Sequence, residues 1–494
     1  MADVAAKQKA PETLTRRELE REVVELRADN AELRAALGKS IAQVEQLMRR
    51  IVALEEKLRQ TSRNSSKPPS SDPPGTPPRT RNKKGKRKRG GQPGHKGKTR
   101  DLLPPEEVDE VVDCRPDACD ACGLPLSGDD PAPMRHQTTE LLEIVTAVTE
   151  FRIHGLDCPC GVTTYGELPP GAEFAFGPRL EAVVALLTGA YRLSKRNVQA
   201  LMQDVFGVDI ALGSVPNIEE RMSQALEQPV EEAKEHVQSQ TADPIHMDET
   251  GFRVENRRAW LWTAIAGAVA VFVVRHSRGS KVVKELLGEE FSGRLVTDRW
   301  SAYNWIEKAR RQLCWAHLTR DFQKLADSGG KGAGLGDALL EETDKLFTWW
   351  HRIRDGTLSW STFRRYAGGV RSEMTRLLRI GTHTSTDPRC VRFCEELLKL
   401  WDAAWTFTRV QGVEPTNNSA ERILRHAVIW RKTSFGTQSV RGTEYVERML
   451  TTVGTLRLQG RNVLEYLVAA RVAAIHGRAT PSLLPTSRRR RRAA

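Results

Sequence analysis

The sequence predicts a multidomain protein with α-helical parts and one α/β part. Three observations carry this prediction. An apolar heptad runs from residue 14 to about 60, paired cysteines lie between 101 and 175, and strand-like segments alternate with helical ones from 243 to 327. A chain of 494 residues is also long enough to form several compact units.

The charge balance favours a polyanionic partner. The formal net charge is +13, which suits nucleic acid or an anionic surface. The longest apolar run, residues 264–274, is far shorter than the ~20 residues of a membrane-spanning helix, so no membrane association is expected. The first residues contain no apolar signal core, which predicts a cytoplasmic protein whose cysteines bind metal or stay as buried thiols.

Residues 14–60 are predicted to form a coiled coil, or leucine zipper. Two apolar seams repeat every seven residues and suit the a and d positions of a heptad. The a positions are Val23, Asn30, Leu37, Val44, Ile51 and Leu58, and the d positions are Leu19, Leu26, Leu33, Ser40, Leu47 and Leu54. Asn30 favours a parallel homodimer in register, because two Asn side chains pair across the seam. The alternative is an amphipathic helix that packs on its own domain.

Residues 61–100 are predicted to be a disordered basic linker. The segment 61–78 is rich in Ser and Pro, and the segment 79–100 holds eleven Lys or Arg. Such a composition cannot bury enough apolar surface to fold by itself. Its charges can neutralise DNA phosphates, and the candidate contacts are Lys83, Lys84, Lys86, Arg87, Lys88 and Arg89. The alternative is a solvated linker that binds nothing.

Residues 101–175 are predicted to bind one structural Zn²⁺ in a ribbon-like domain. Two cysteine pairs, Cys119 with Cys122 and Cys158 with Cys160, flank strand-like pieces such as residues 144–148. Tetrahedral Zn²⁺ takes four thiolates from two such turns. The second pair is spaced more tightly than usual, and the residues that could each replace one ligand are Cys114, His136 and His154. The alternative is a set of unliganded thiols.

Residues 178–240 are predicted to be helical. Ser194 and Ser214 are candidate N-caps of two successive helices, and Pro216 falls in the first turn of the second. A turn around residues 206–208 separates them. The pattern is compatible with a DNA-binding helix-turn-helix, although any helical hairpin gives a similar one.

Residues 243–327 are predicted to form the first part of an α/β core. The predicted strands are 244–247, 258–267, 268–275, 294–297 and 313–318, with a helix at 280–290 and another after the last strand. This order of elements is that of a ribonuclease-H-like domain, whereas the periodicity alone indicates only mixed α/β. Residues 335–412 are predicted to be an all-α insertion whose Trp side chains form its core.

The chain is predicted to return to the same core after the insertion. Residues 413–475 contain two more helical patterns, and the first of them begins near Glu421. The last segment, 476–494, ends in five consecutive Arg and is expected to be a disordered basic tail.

Three acids are candidates for one metal centre. Asp248 and Asp298 each close a predicted strand, so neighbouring strands would present both carboxylates at one edge of a sheet. A helix packed across that edge would supply Glu421. Carboxylate oxygens are the ligands that Mg²⁺ prefers, and Mn²⁺ would also fit. Two such ions about 4 Å apart stabilise both the attacking and the leaving oxygen of a phosphodiester.

Each acid also has a structural alternative. Asp248 could begin a turn through Gly251, Asp298 could cap a helix near Ser301, and Glu421 could form a capping box with Asn418. Basic residues at helical spacing after Glu421 favour the metal centre, since they could hold phosphates beside it. They are Arg422, Arg425, Arg431 and Lys432.

The chain resembles transposases of the insertion-sequence-66 family, and its motifs follow one another along nearly the whole sequence. They are the zipper, NSSKPPSS at 64–71, GGQPGHKG at 90–97, the paired cysteines, MDET at 247–250, TDRW at 297–300 with Tyr303, CWAHL at 314–318 and NNSAER at 417–422. The resemblance implies a DDE triad of Asp248, Asp298 and Glu421 on a ribonuclease-H-like catalytic core with a helical insertion.

The resemblance implies a bacterial, nucleoid-associated DNA transposase. It would cleave the ends of an insertion sequence and join the freed 3′-hydroxyls to target double-stranded DNA, using two Mg²⁺ or Mn²⁺ per active site. A dimer or higher oligomer and accessory proteins of the same element are expected partners. The alternatives are a DNA-binding regulator without catalysis and a metal-dependent nuclease that cuts without joining.

Overall fold

The structure is a computed structural model that describes residues 15–58, 60–62, 64–65, 101–328, 332–385 and 387–485. The basic contacts predicted between Lys83 and Arg89, and the arginines at the end of the tail, lie outside the described residues. The chain divides into two compact units. The helical unit comprises Met1–Arg79 with Ala316–Lys399, and the sheet unit comprises Thr80–Trp315 with Leu400–Ala494.

The described residues contain fourteen α-helices and seven β-strands. The helices are α1 (Arg16–Leu58), α2 (Pro178–Ala185), α3 (Lys195–Phe206), α4 (Ser214–Ala225), α5 (Glu227–Ser239), α6 (Ser280–Leu287), α7 (Trp315–Ala326), α8 (Ala333–Arg354), α9 (Trp360–Thr384), α10 (Pro388–Lys399), α11 (Thr406–Arg409), α12 (Asn418–Ser434), α13 (Val440–Leu458) and α14 (Val463–Ile475). The strands are β1 (Gly155–Asp157), β2 (Thr163–Tyr165), β3 (Ile245–Val254), β4 (Arg257–Ala266), β5 (Val269–Arg275), β6 (Leu295–Thr297) and β7 (Arg311–Leu313). None of these helices combines the length and the apolar character that a membrane span needs.

Helix α1 is continuous over 43 residues, within the limits that the heptad predicts. Its apolar seams face solvent in the single chain: Leu33 is 68% exposed and Leu47 is 57% exposed. The amide of Asn30 donates to the Leu26 carbonyl, 3.1 Å away. Two exposed apolar seams on one helix are the feature that a coiled-coil partner would cover.

The central sheet has the strand order β5-β4-β3-β6-β7. The first three strands form an antiparallel meander, and β6 and β7 continue it in the parallel sense beyond β3. A tight turn at Gly267, with φ of +56°, joins β4 to β5. The strands β4 and β5 are almost entirely buried, because helices cover the sheet and leave little solvent on either face.

Two strand predictions are wrong in their limits. The predicted strand before Asp248 was expected to end there in a turn, but β3 runs on through Val254, because its second half pairs with β4. The predicted strand 313–318 is a strand only to Leu313, and helix α7 begins at Trp315.

The edge of β5 is covered by side chains of α13. The backbone N–H groups of Phe272 and Ala270 donate to Thr451 Oγ1 and Thr455 Oγ1, each over 3.0 Å. These hydroxyls replace the strand partner that an edge lacks, so the edge cannot pair with another chain. The helix α13 therefore closes the sheet on the side opposite β7.

The helices α2 to α5 form one part of the sheet unit. Ser194 caps α3 as predicted, since its Oγ accepts from the N–H of Asn197 at 3.2 Å. The prediction that Ser214 caps α4 is wrong: Ser214 is the first helical residue, and Gly213 stands at the cap without a side chain to offer. Side chains of α2, α3 and α4 share one small buried core around Val198 and Ile218.

The segment 101–175 contains little regular structure. Its strands are β1 and β2, which form a short antiparallel pair next to Cys158. The predicted strand at 144–148 is wrong: these residues form no strand, and Val145 is 85% exposed. An apolar run becomes a strand only where a partner offers ladder hydrogen bonds, and within the described residues 144–148 have no such partner.

The helices α8, α9 and α10 lie in the helical unit and bury part of the predicted Trp core. Trp350 packs on Phe363, with ring centroids 5.7 Å apart. The tryptophans near the end of the predicted insertion lie elsewhere, because Trp401 and Trp405 pack on Trp315 in the sheet unit.

Candidate active site

Asp248 lies in β3, and Asp298 is the first residue after the neighbouring parallel strand β6. His246 of β3 is level with Val296 of β6, and each acid follows two residues later. The N–H of Glu249 donates to Asp248 Oδ1 over 2.9 Å, and the N–H of Trp300 donates to Asp298 Oδ1 over 2.8 Å. Each carboxylate thus keeps oxygen lone pairs for a further partner, and two acids meet at one place on the sheet.

Asn417 fastens the start of α12 to β3 beside Asp248. Its Nδ2 donates to the Met247 carbonyl over 2.6 Å, and its Oδ1 accepts from His246 Nδ1 over 3.1 Å. Its backbone N–H donates to the Cys314 sulfur over 3.2 Å. The Asn417 residue is 1% exposed. These contacts hold the first turn of α12, which carries Glu421, across the edge of the sheet.

Glu421 lies inside the first turn of α12 and does not take part in a capping box with Asn418. The helix begins at Asn418, and its N-cap is Asn417, whose side chain makes no capping hydrogen bond. A carboxylate oxygen of Glu421 lies within 4.8 Å of Cys314 Sγ, one residue beyond β7. One acid therefore comes from β3, one from the loop directly after β6 and one from α12.

The charges of the three acids act on one another, although the structure does not bring ligand oxygens of all three within 4.8 Å of each other. Burial raises the pKa of Asp248 well above its usual range, and the negative charges of Glu249, Asp298 and Glu421 raise it further. Carboxylates that interact in this way disfavour one another's ionisation. A cation at their centre would remove that cost, since hard divalent ions bind clustered carboxylate oxygens. The chemistry of the donors therefore suits Mg²⁺ or Mn²⁺, and the three carboxylates would have to move closer together to share one ion.

Glu249 is a fourth acid whose charge also acts on Asp248, and its own side chain is held by two donors. Its side chain is 1% exposed, and Arg278 donates to its Oε1 through Nε and Nη2 over 2.9 and 2.7 Å. Tyr303 donates its hydroxyl to Oε2 over 2.7 Å. Arg278 in turn stacks on Trp300, 3.9 Å from the ring centroid. These contacts tie the loop after Asp298 to the strand that carries Asp248.

Arg311 stabilises the loop that follows Asp298. It is 1% exposed, and its guanidinium donates to Thr297 Oγ1, Asn304 Oδ1 and the carbonyls of Asp298 and Trp300, over 2.8 to 3.3 Å. Burial lowers the pKa of Arg311 to about 10, although the charge of Asp298 opposes this. The group stays protonated at neutral pH and fixes the backbone on both sides of Asp298.

The basic residues after Glu421 divide into two sets. Arg422 and Arg425 are exposed on α12 within about one turn of Glu421, in positions open to a phosphate. Arg431 serves the fold instead: it donates to the Gly251 carbonyl over 2.5 Å and to Thr250 Oγ1 over 3.2 Å. The phosphate-binding role of Arg431 stays a prediction, and one of its nitrogens is already used by the fold.

The four predicted zinc ligands form two separate pairs. Cys119 accepts hydrogen bonds from the backbone of Ala121 and Cys122, which lower the pKa of its thiol. The side chain of Cys158 lowers the pKa of the Cys160 thiol. In the part of the chain that the structure describes, no three of these sulfurs lie within 4.8 Å of one another. Each pair suits a thiophilic metal, but the structure does not bring the pairs together.

Three residues at the site are absent from the sequence-based candidates. Asn417 and Glu249 belong to the same sequence motifs as Glu421 and Asp248, so the sequence could have identified them as site residues. Arg311 has no such signal, because its four acceptors become neighbours only when β7 lies beside β6.

Three findings relate the chain to known proteins. The family model described as "Transposase IS66 family" matches residues 174–445, which cover both parts of the sheet core. A family of unknown function (DUF6444) matches residues 9–101. Uncharacterized protein y4hP of Sinorhizobium fredii (strain NBRC 101917 / NGR234) is 24% identical over 412 residues, which are 74% of this chain and 72% of that protein.

Proposed function

The chain belongs to the IS66 transposase family, and from this premise we propose that it transposes DNA by metal-dependent cleavage and strand joining at Asp248, Asp298 and Glu421. The single observation that carries the proposal is the approach of three carboxylates from three elements, which raises the pKa of Asp248. The strand order β5-β4-β3-β6-β7 supports a ribonuclease-H-like core for this chemistry.

The three carboxylates would hold one or two Mg²⁺ or Mn²⁺ ions. When bound, such ions supply Lewis acidity to the attacking and leaving oxygens of a phosphodiester. The protein's own task is to hold the ligands still. Asn417 fixes the helix of Glu421, Arg311 fixes the loop of Asp298, and Glu249 is neutralised by Arg278.

The exposed seams of α1 support pairing of two chains through a coiled coil. A parallel arrangement would place the two Asn30 side chains opposite each other, as predicted. A paired transposase can hold both ends of an element in one complex. Double-stranded DNA is the substrate that this proposal requires, and Arg422 and Arg425 are suited to its phosphates because they project from the helix of Glu421.

The test is an incubation of the purified chain with two differently labelled duplexes that carry the ends of its own element, with and without Mg²⁺. We expect one complex that contains both labels, nicking only with Mg²⁺, and joining of the 3′-ends to a third duplex. Asp298→Asn should keep DNA binding and lose cleavage. Cleavage without joining would favour a nuclease, and binding without cleavage in the unchanged chain would favour a regulator.

The two cysteine pairs support a structural Zn²⁺ in the segment 101–175, if the pairs close on one ion. Four thiolates complete a tetrahedral site. We expect about one Zn²⁺ per chain by elemental analysis, and a loss of at least half of it in Cys122→Ser, because three ligands hold the ion less tightly. Cys390→Ser, at a buried cysteine of α10, is the matched control and should keep the metal. Equal zinc in both variants would contradict the site.

A further inference from the structure

Three arginines without acidic partners meet one helical turn beyond Glu421. Arg192 follows a short π-helical turn, Leu186–Ala190, and has a left-handed backbone with φ of +64°. Its Nη1 donates to the Ala190 carbonyl over 3.3 Å and lies 3.4 Å from Nδ1 of His426 on α12. Few residues other than glycine adopt this conformation, and those that do concentrate at functional sites.

Two contacts of α13 matter here: its first half anchors the backbone before Arg192, and its second half lies against α12, where a Cβ at Gly454 would be 3.7 Å from Ile423 Cγ2. The hydroxyls of Thr188 and Tyr445 are 2.7 Å apart, and Tyr445 donates to the Ala185 carbonyl over 3.0 Å. Further along α13, the last turn carries Arg457. Arg425, the residue before His426, completes what we call the arginine cluster: Arg192, Arg425 and Arg457.

The charges of the arginine cluster are uncompensated. The pKa of His426 is lowered by burial and by Arg457, Arg192 and Arg425, and the pKa of Arg192 is lowered by burial and by Arg457. Among the described residues, no carboxylate lies within ion-pair distance of any of the three arginines. Like charges that are held together without a counter-charge raise the free energy of the protein, and a bound anion would lower it.

His426 adds a directed donor to this positive site. Arg192 can only donate, so the Nδ1 of His426 accepts and the ring proton is on Nε2. The neutral ring therefore offers one N–H donor beside three guanidinium groups. Guanidinium groups bind phosphate oxygens in pairs of parallel hydrogen bonds, which makes phosphate a better match than a halide.

We propose that the arginine cluster, with His426, binds one backbone phosphate of the DNA whose scissile bond lies at the three acids. Arg425 lies four residues after Glu421 on α12, so both side chains project from the same face of the helix. The site would fix the strand a short distance from the scissile phosphodiester. This inference rests on the proposed function, because it takes DNA as the ligand.

The test measures DNA binding without catalysis. A fluorescent duplex that carries an element end is titrated in EDTA at several NaCl concentrations, with Arg192→Gln, Arg457→Gln and the unchanged chain. Each loss of a phosphate contact should weaken DNA binding about five- to tenfold at 0.15 M salt. It should also make the plot of the logarithm of the association constant against the logarithm of the salt concentration less steep, by about 1. Arg192→Lys keeps the charge and should retain most of that slope.

Arg179→Gln is the matched control, because Arg179 is exposed on α2 and already paired with Glu465 over 3.1 Å. Its slope should equal that of the unchanged chain. An unchanged slope in both Arg192→Gln and Arg457→Gln, in a chain that cleaves DNA with Mg²⁺, would overturn the cluster and leave the proposed function intact. A reduced slope in a chain that never cleaves would support the cluster and count against the proposed catalysis. No DNA binding by the unchanged chain would overturn both.

Discussion

Asp248→Asn is expected to abolish Mg²⁺-dependent cleavage of element-end DNA and to make the metal-free chain more resistant to heat. The loss of cleavage should be about 10³-fold or more, as for other residues that act as one catalytic unit. Asparagine keeps the shape and removes the charge, so it cannot balance a divalent cation between Asp298 and Glu421. The measurements are single-turnover cleavage and thermal unfolding in EDTA.

The gain in stability follows from the sign of the pKa shift. Burial, with Glu249, Asp298 and Glu421, raises the pKa of Asp248 in the folded chain, so the ionised form is less favourable there than in the unfolded chain. Its favourable effect on stability is complete at low pH and is lost as pH rises through the folded-state pKa. The asparagine variant should therefore melt above the unchanged chain at pH 8, and the difference should shrink towards pH 4.

Added Mg²⁺ should reverse that order. Binding to the folded chain alone stabilises it by about 2.7 kcal/mol at a hundredfold excess over Kd, and Asp248→Asn should lose most of this gain. Asp243→Asn, at an exposed acid just before β3, is the matched control and should behave like the unchanged chain. Equal responses to Mg²⁺ in both variants, or undiminished cleavage by Asp248→Asn, would rule out the metal centre.

Arg311→Met is expected to lower the free energy of unfolding of the sheet unit by about 3 to 5 kcal/mol. Methionine fills much of the same volume, but it leaves the acceptors on Thr297 and Asn304 and two loop carbonyls buried without a donor. Each unsatisfied buried group costs about 1 to 3 kcal/mol. The loop of Asp298 should also lose its geometry. Urea unfolding followed by circular dichroism measures the loss.

Two other variants test the specific role of Arg311. Arg311→Lys keeps the charge but not the planar fork of donors, so we expect roughly half the loss. Arg310→Met changes the preceding residue, whose side chain is exposed and paired with Glu307, and should cost about 0.5 kcal/mol or less. If Arg311→Met and Arg310→Met unfold at the same urea concentration, the four hydrogen bonds of Arg311 do not stabilise the loop.

Local pattern was sufficient where a segment's structure depends on its own residues. The heptad predicts residues 14–60, and α1 spans Arg16–Leu58. The cap at Ser194 and the turn at Gly267 follow from the chemistry of single residues. Local pattern failed at Asp248, where a turn-like sequence was overridden by ladder hydrogen bonds to β4, and at 144–148, where an apolar run found no partner strand.

The sequence by itself was enough to predict most helices and strands and the positive charge. It also contains the three acids that the family resemblance selects as a triad. Only the tertiary structure decided which elements carry these acids towards one region: β6 lies beside β3, and Asn417 fastens α12 to β3. It also decided that Arg431 supports the strand while Arg192 reaches His426. The reason is that periodicity and turn chemistry depend on neighbours in the chain, whereas these contacts join residues about 50 to 230 positions apart, and only the packing of the whole sheet unit specifies them.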